Sequence, residues 1–276
     1  MRPRLKTKEQ QHEEHLRRIK ALRPIDDDFM RVLFKDNLPL AQMVLRIITG
    51  IEDLVLIEHE TQYDLKRLAG SRSVCLDVMG TDSKNQKYDL EIQRGDKGAR
   101  PHRARYHSSA MDVENLAPNE EFEKLPNTYV IFITENDIFG KGKAVYHIDR
   151  INTDTGELFG DGEHMIYVNG AYEDDSEIGH LMHDFRCADA DDMHFELFAE
   201  KARYYKDEPK GVSEMCKIIE DMINEAREET RAEEAYQFAL NMIEKGKLPF
   251  DEIAAYTGLT LEDVQEIAEE NGIVTV

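Results

Sequence analysis

Residues 129 to 134, Tyr-Val-Ile-Phe-Ile-Thr, form a nearly unbroken apolar run. A strand of this composition is buried on both faces, so its sheet needs cover on each side. Upstream, residues 54 to 59, 72 to 79 and 87 to 93 read as three more strands, and residues 102 to 117 fit a helix. Strand, strand, strand, helix, strand is the order of an α/β fold. Ahead of the first strand, apolar residues recur at helical spacing over 29 to 34 and over 40 to 48. Asp26, Asp27 and Asp28 suit the start of the first helix, and Gly50 suits the end of the second. Short strands are expected within 144 to 172, helices over 176 to 245, and two short helices around Gly258 over 249 to 271. The expected organisation is a polar arm (1–23), a core (24–175), a helical extension (176–245) and a small acidic tail resembling a helix–turn–helix (246–276).

The run from 87 to 93 puts Asp89, Glu91 and Gln93 on one face, opposite Tyr88, Leu90 and Ile92. The run from 72 to 79 puts Cys75, Asp77 and Met79 on one face. Between them, residues 81 to 86 are rich in turn formers, which predicts an antiparallel hairpin. A turn centred near Lys84 sets Asp77 opposite Glu91, with Cβ atoms roughly 5 Å apart. Two carboxylates that close repel unless a proton or a cation lies between them. Mg²⁺ suits such a pair because it prefers oxygen ligands and retains water. Alternating polar and apolar residues are also the ordinary signature of a half-exposed strand, and spacing alone favours that reading.

The net charge of −22 opposes non-specific binding to a polyanion, so contact with nucleic acid has to rest on a local basic patch. One candidate is residues 94 to 105, where Arg94, Lys97, Arg100, Arg103 and Arg105 face only Asp96. The other is residues 1 to 20, where seven Lys and Arg stand against Glu9, Glu13 and Glu14. Either could equally be a solvated surface. Three widely spaced cysteines, Cys75, Cys187 and Cys216, point to a reducing compartment. No secretory signal or membrane-length apolar run is visible, so a cytoplasmic protein without membrane partners is expected.

Several stretches together resemble the PD-(D/E)XK nuclease family transposases, the recombination-promoting nuclease group. They are Asp27-Asp28-Phe29-Met30 with Leu33-Phe34, residues 72 to 78 ending Leu76-Asp77-Val78, and Tyr88-Asp89-Leu90-Glu91-Ile92-Gln93-Arg94. Arg103-Ala104-Arg105-Tyr106, residues 129 to 133 and Tyr167-Val168-Asn169-Gly170 follow in the same order. The likeness spans roughly residues 24 to 230. It implies a restriction-endonuclease-like α/β core, with a mixed central sheet flanked by helices and a helical C-terminal extension. It implies a Mg²⁺-dependent DNA endonuclease, with Mn²⁺ as a substitute ion and a link to transposition or recombination. Carried over residue by residue, Asp77 and Glu91 are the metal ligands, Asp28 a further acid for the metal, and Gln93 the residue that orients water. Arg94, Arg103 and Arg105 are the expected contacts to DNA phosphates.

Two departures stand out. No proline precedes Asp77, and Gln93 occupies the place of the superfamily's lysine. Glutamine orients by hydrogen bonding but supplies no charge, which favours slow catalysis or a second cation. The alternative is a binding or scaffold module on a nuclease fold that has lost activity. Two further features have ordinary readings. His180, His183, Cys187 and His194 have soft-metal residue types, but no second compact ligand pair completes a zinc pattern, so a helix-to-loop transition is expected. The tail beyond Leu248 carries seven acidic residues and no Lys or Arg, so packing or protein contact is expected there, including self-association through the C-terminal helices.

Overall fold

The computed structural model describes residues 8–65, 75–94 and 98–273. The chain divides into two compact units, Met1–Ser213 and Glu214–Val276. The first holds a six-stranded mixed sheet with strand order β1-β2-β3-β4-β6-β5. Strands β1 (Leu56–Asp64), β2 (Cys75–Asp82) and β3 (Lys87–Gln93) form an antiparallel meander. Strands β3, β4 (Thr128–Thr134) and β6 (Glu163–Asn169) run parallel, and β5 (Val145–Ile148) closes the edge antiparallel to β6. A parallel neighbour needs a crossover, and α4 (Pro101–Asn115) supplies the one between β3 and β4.

Parallel pairing fixes which residues share a face. Asp89 pairs with Val130, Glu91 with Phe132, and Phe132 with Tyr167. This face lies under α4, where Ala104 and Met111 pack with Val130, Phe132 and Tyr167. Helices α2 (Asp27–Phe34), α3 (Leu38–Thr49), α5 (Glu177–Arg186) and α6 (Glu196–Asp207) contribute a second apolar layer. Its centre is the ring cluster of Phe34, Phe185 and Phe198, with centroid separations of 6.5, 6.3 and 5.2 Å. Full burial of one such side chain stabilises by about 1.5–3 kcal/mol.

One element differs from the sequence expectation. Strand β1 begins at Leu56 and runs on through a polar stretch to Asp64. It is an edge strand, exposed over much of its length, so its second half carries no apolar signal. The polar N-terminal segment, whose sequence suits either a mobile arm or a loosely docked helix, is over residues 8–21 helix α1 (Lys8–Ala21), docked through buried Ile19 and by Arg18 to Asp28 at 2.9 Å. Residues 72 to 74 of the expected second strand and residues 1 to 7 lie outside the described residues.

The β2–β3 hairpin sets the site. Val78 faces Leu90, Met79 faces Asp89, Gly80 faces Tyr88 and Thr81 faces Lys87, the register of a turn centred near Lys84. Buried Asp82 organises that turn. Its Oδ1 accepts the N–H groups of Lys84 at 2.9 Å and Gln86 at 2.8 Å, and its Oδ2 accepts the Tyr88 hydroxyl at 3.1 Å. Asn85 takes a left-handed φ of 63°, which asparagine tolerates well.

The second unit comprises most of α7 (Pro209–Lys245), with α8 (Phe250–Thr257) and α9 (Leu261–Glu270). Ala239 and Ile243 of α7 pack with Ile253, Val264, Ile267 and Ala268. Gly258 ends α8 with φ 77°, and Thr260 and Asp263 form the capping box expected from the sequence. Among the described residues, no helix is long and apolar enough to cross a membrane.

Asp82→Ala is expected to lower stability by about 1–3 kcal/mol, because it strands buried donors in the hairpin turn. Urea unfolding followed by circular dichroism measures the loss, and an unchanged midpoint would remove Asp82 from this role.

Candidate active site

One residue beyond the last β2–β3 pair, the same register sets Asp77 opposite Glu91. There the backbone ladder gives way to side chains. The Asp77 N–H donates to Glu91 Oε1 at 3.0 Å, and the Ile92 N–H donates to Asp77 Oδ2 at 3.0 Å. Each carboxylate therefore caps a donor on the other strand. The Gln62 amide from β1 adds a contact to Asp77 Oδ1 at 3.4 Å.

The reading of β3 as a half-exposed strand is overturned. Asp89 and Glu91 are fully buried, because α4 covers their face. That cover is polar. Arg103 Nη2 donates to Glu91 Oε2 at 2.8 Å, and Nη1 lies 3.4 Å from Gln93 Oε1. Arg103 Nε donates to His107 Nε2 at 3.2 Å, and His107 Nδ1 lies 2.9 Å from Asp89 Oδ2. An imidazole that accepts at Nε2 carries its proton on Nδ1, so the Asp89 contact is a donation by His107. Phe132 forms the floor, with its ring centroid 5.9 Å from both the His107 ring and the Arg103 guanidinium carbon.

Gln93 also needs the glycine at 98. A Cβ there would collide with the Gln93 amide, so Gly98 leaves room for the side chain to lie under Arg103.

Burial and crowding dominate the electrostatics. Burial raises Asp77, with the Ile92 N–H opposing and the charge of Asp27 adding to the rise. Asp89 is pushed well above the carboxylate range by burial and then by Asp77. Glu91 is pushed up to about 9 by burial, then by Asp89 and Asp77. Arg103 favours the Glu91 carboxylate, but one guanidinium faces three acids, two of them fully buried, so the group retains a proton at neutral pH. Burial depresses His107, which fits the neutral tautomer drawn above. Asp89 Oδ1 has no hydrogen-bond partner among the described residues.

The other expected site residues are placed as follows. Asp28 turns toward α1 and pairs with Arg18, and it is the charge of neighbouring Asp27 that acts on Asp77. Arg94 is exposed and pairs with Asp26 at 3.0 Å and Glu135 at 3.7 Å. Arg103 points into the acid cluster, while Arg105 is exposed on α4. Lys97 and Asp96 lie outside the described residues. Asp89 had no role assigned from sequence, and His107, expected only to assist the basic segment in meeting phosphates, lies instead within the acid cluster. The signals were present: Asp89 shares the face of Glu91, and His107 stands one helical turn after Arg103.

The donors fit a hard divalent cation. Carboxylate oxygens dominate, one buried carboxylate oxygen lacks a partner, and the acids repel one another without a compensating charge. Asp89, Glu91 and His107 each place one ligand atom within 4.8 Å of the others.

A mixed sheet whose paired acids sit where antiparallel β2–β3 meets parallel β3–β4 defines a restriction-endonuclease-like nuclease core. A family model described as PD-(D/E)XK nuclease family transposase matches residues 40–240, and the chain belongs to that family. No curated protein and no solved structure matches the chain.

Because the folded-state pKa of Glu91 lies above its unfolded value, its protonated form stabilises the fold at low pH. That contribution is lost as pH rises through about 9. Without added metal, the urea midpoint is expected to fall between pH 7 and pH 10, and Glu91→Gln to flatten the fall. Parallel profiles for the two proteins would contradict the assignment.

Proposed function

We propose that the chain is a DNA endonuclease that hydrolyses phosphodiester bonds with Mg²⁺, for which Mn²⁺ substitutes, held by Asp77 and Glu91. The observation that carries this reading is the exchange of carboxylates between β2 and β3, which brings both acids and Gln93 to one end of the sheet. A divalent ion bound there supplies Lewis-acid polarisation of a phosphoryl oxygen and a more acidic water.

The remaining work falls to the chain's own residues. Gln93 orients the attacking water through its amide, with Gly98 leaving the space it needs. Arg103 bonds both Glu91 and Gln93, and its positive charge would offset negative charge that grows during attack on a phosphate bound at these acids. This arrangement offsets part of what the superfamily's lysine contributes. His107 and Asp89 fix the Arg103 side chain from behind. Arg105, and Arg94 once released from Asp26 and Glu135, meet phosphates beside the scissile bond. Asp28, engaged with Arg18, serves as a metal acid only if that pair opens. The family supports action in transposition or recombination.

A second reading, a binding module on an inactive nuclease fold, is favoured by two observations: Gln93 carries no charge, and Arg103 occupies an oxygen of Glu91.

Purified protein is expected to nick supercoiled plasmid with Mg²⁺ or Mn²⁺. Glu91→Ala should reduce the rate by at least about 10³-fold while the protein remains folded. Nicking that persists in Glu91→Ala would refute the site. Absence of both nicking and calorimetric Mn²⁺ binding in the unaltered protein would assign the second reading, and a Mn²⁺ site lost in Asp77→Ala would count against it. Arg105→Ala is expected to weaken binding to all duplexes alike and to reduce the slope of log affinity against log salt by about 1. An unchanged slope would remove Arg105 from the interface.

A further inference from the structure

Helix α5 and the loop after it, neither of which contributes to the acid cluster, carry a second set of potential metal ligands. His180 and His183 stand one turn apart on α5. The helix ends at Arg186, and the chain then returns to bring His194 back against it. The His194 ring stacks on His180 with centroids 4.0 Å apart and planes 13° apart. It meets His183 edge-on at 4.8 Å.

The residue that folds this loop back is Asp184, which is fully buried. Its Oδ1 accepts the His194 N–H at 2.9 Å, and its Oδ2 accepts the Phe195 N–H at 2.8 Å. These bonds fix the carboxylate's orientation while leaving lone pairs on each oxygen. Oδ1 also lies 3.2 Å from His183 Nδ1. Two ligands on a tetrahedral ion, with bonds of about 2.0–2.2 Å, stand roughly 3.3 Å apart, so this spacing suits neighbouring ligands. A ring nitrogen of His194 completes a set in which all three ligand atoms lie within 4.8 Å of one another.

We propose that His183, Asp184 and His194 form a site for a borderline divalent ion of the zinc class, separate from the Asp77–Glu91 site. Two imidazoles and one carboxylate select zinc-class ions over Mg²⁺, which prefers an all-oxygen shell. His180 stacks on His194 and lies 3.3 Å from Asp175, which supports the His194 ring. A loop cap requires Asp184 alone; the approach of the His183 and His194 ring nitrogens to its carboxylate is what points to a metal. Cys187, although close in sequence, directs its sulfur to the Asp189 carbonyl at 3.0 Å and is not a ligand. A bound ion would clamp residues 187–195 to α5.

The test is calorimetric titration of the full chain with Zn²⁺, alongside Co²⁺ as a visible-absorption probe. With the Asp77–Glu91 site removed by Glu91→Gln, one saturable equivalent is expected, with a tetrahedral Co²⁺ spectrum, and the His194→Gln comparison is made in that background. His194→Gln is expected to weaken binding by at least about tenfold with an unchanged far-ultraviolet circular dichroism spectrum. Glu91→Gln should leave this equivalent in place, which separates it from the nuclease reading. Should His194→Gln fail to fold, imidazole nitrogen resonances of the unaltered chain decide instead: Zn²⁺ should shift those of His183 and His194. Absence of saturable binding, binding that survives His194→Gln, or shifts confined to other histidines would overturn the proposal.

Discussion

At the end of the β2–β3 hairpin, two strands cease to bond through their backbones and bond through each other's carboxylates. Asp77 takes the Ile92 N–H, and Glu91 takes the Asp77 N–H. Buried backbone donors must be satisfied, so each acid is held in place by a requirement of the sheet itself. The same bonds fix the position of two carboxyl groups, one of them fully buried. Stability and site geometry therefore rest on one pair of contacts, and α4 is built to live with them. Its inner face carries Arg103 and His107 where an ordinary crossover helix would place aliphatic residues.

That arrangement has a cost that explains the surroundings. Three acids, Asp89 and Glu91 buried and Asp77 partly so, face one guanidinium, and burial raises each of them. Arg103 spreads its donors over Glu91, Gln93 and His107, and His107 passes its own proton toward Asp89. The result is a connected polar network with one orphan, Asp89 Oδ1. Networks of this kind are costly when incomplete. An oxygen-preferring divalent ion would supply the missing positive charge, as the proposed nuclease reading of this member of the PD-(D/E)XK nuclease family transposases requires. Gln93 is then part of a Gln–Arg pair and is not simply a lost lysine.

Much of the frame was legible from residue patterns. Strands β3 and β4 have plain periodicity, and the turn formers between 81 and 86 set a register that puts Asp77 across from Glu91. The second half of β1 was not legible, since an exposed edge strand keeps polar residues on both sides. Helix α1 was obscured because its charges dominate a segment docked by few apolar residues, Ile19 among them. In the site, alternation grouped Asp89 with Glu91 but could not show that the face is buried. That depends on α4 docking over it, and α4 docks through Arg103 and His107 as well as Ala104 and Met111, so its inner face reads as polar surface. Likewise, the basic count of residues 94 to 105 gave no sign that Arg94 pairs with Asp26 while Arg103 turns inward.

The central claim concerns where a hard cation sits. Crystals of the full chain soaked in Mn²⁺ and measured at the manganese edge address it directly. The expected result is an anomalous peak in contact with carboxylate oxygens of both Asp77 and Glu91, with the Arg103 guanidinium displaced from Glu91 Oε2. A peak touching only Asp89 and His107, or no peak within reach of the hairpin acids, would contradict the account.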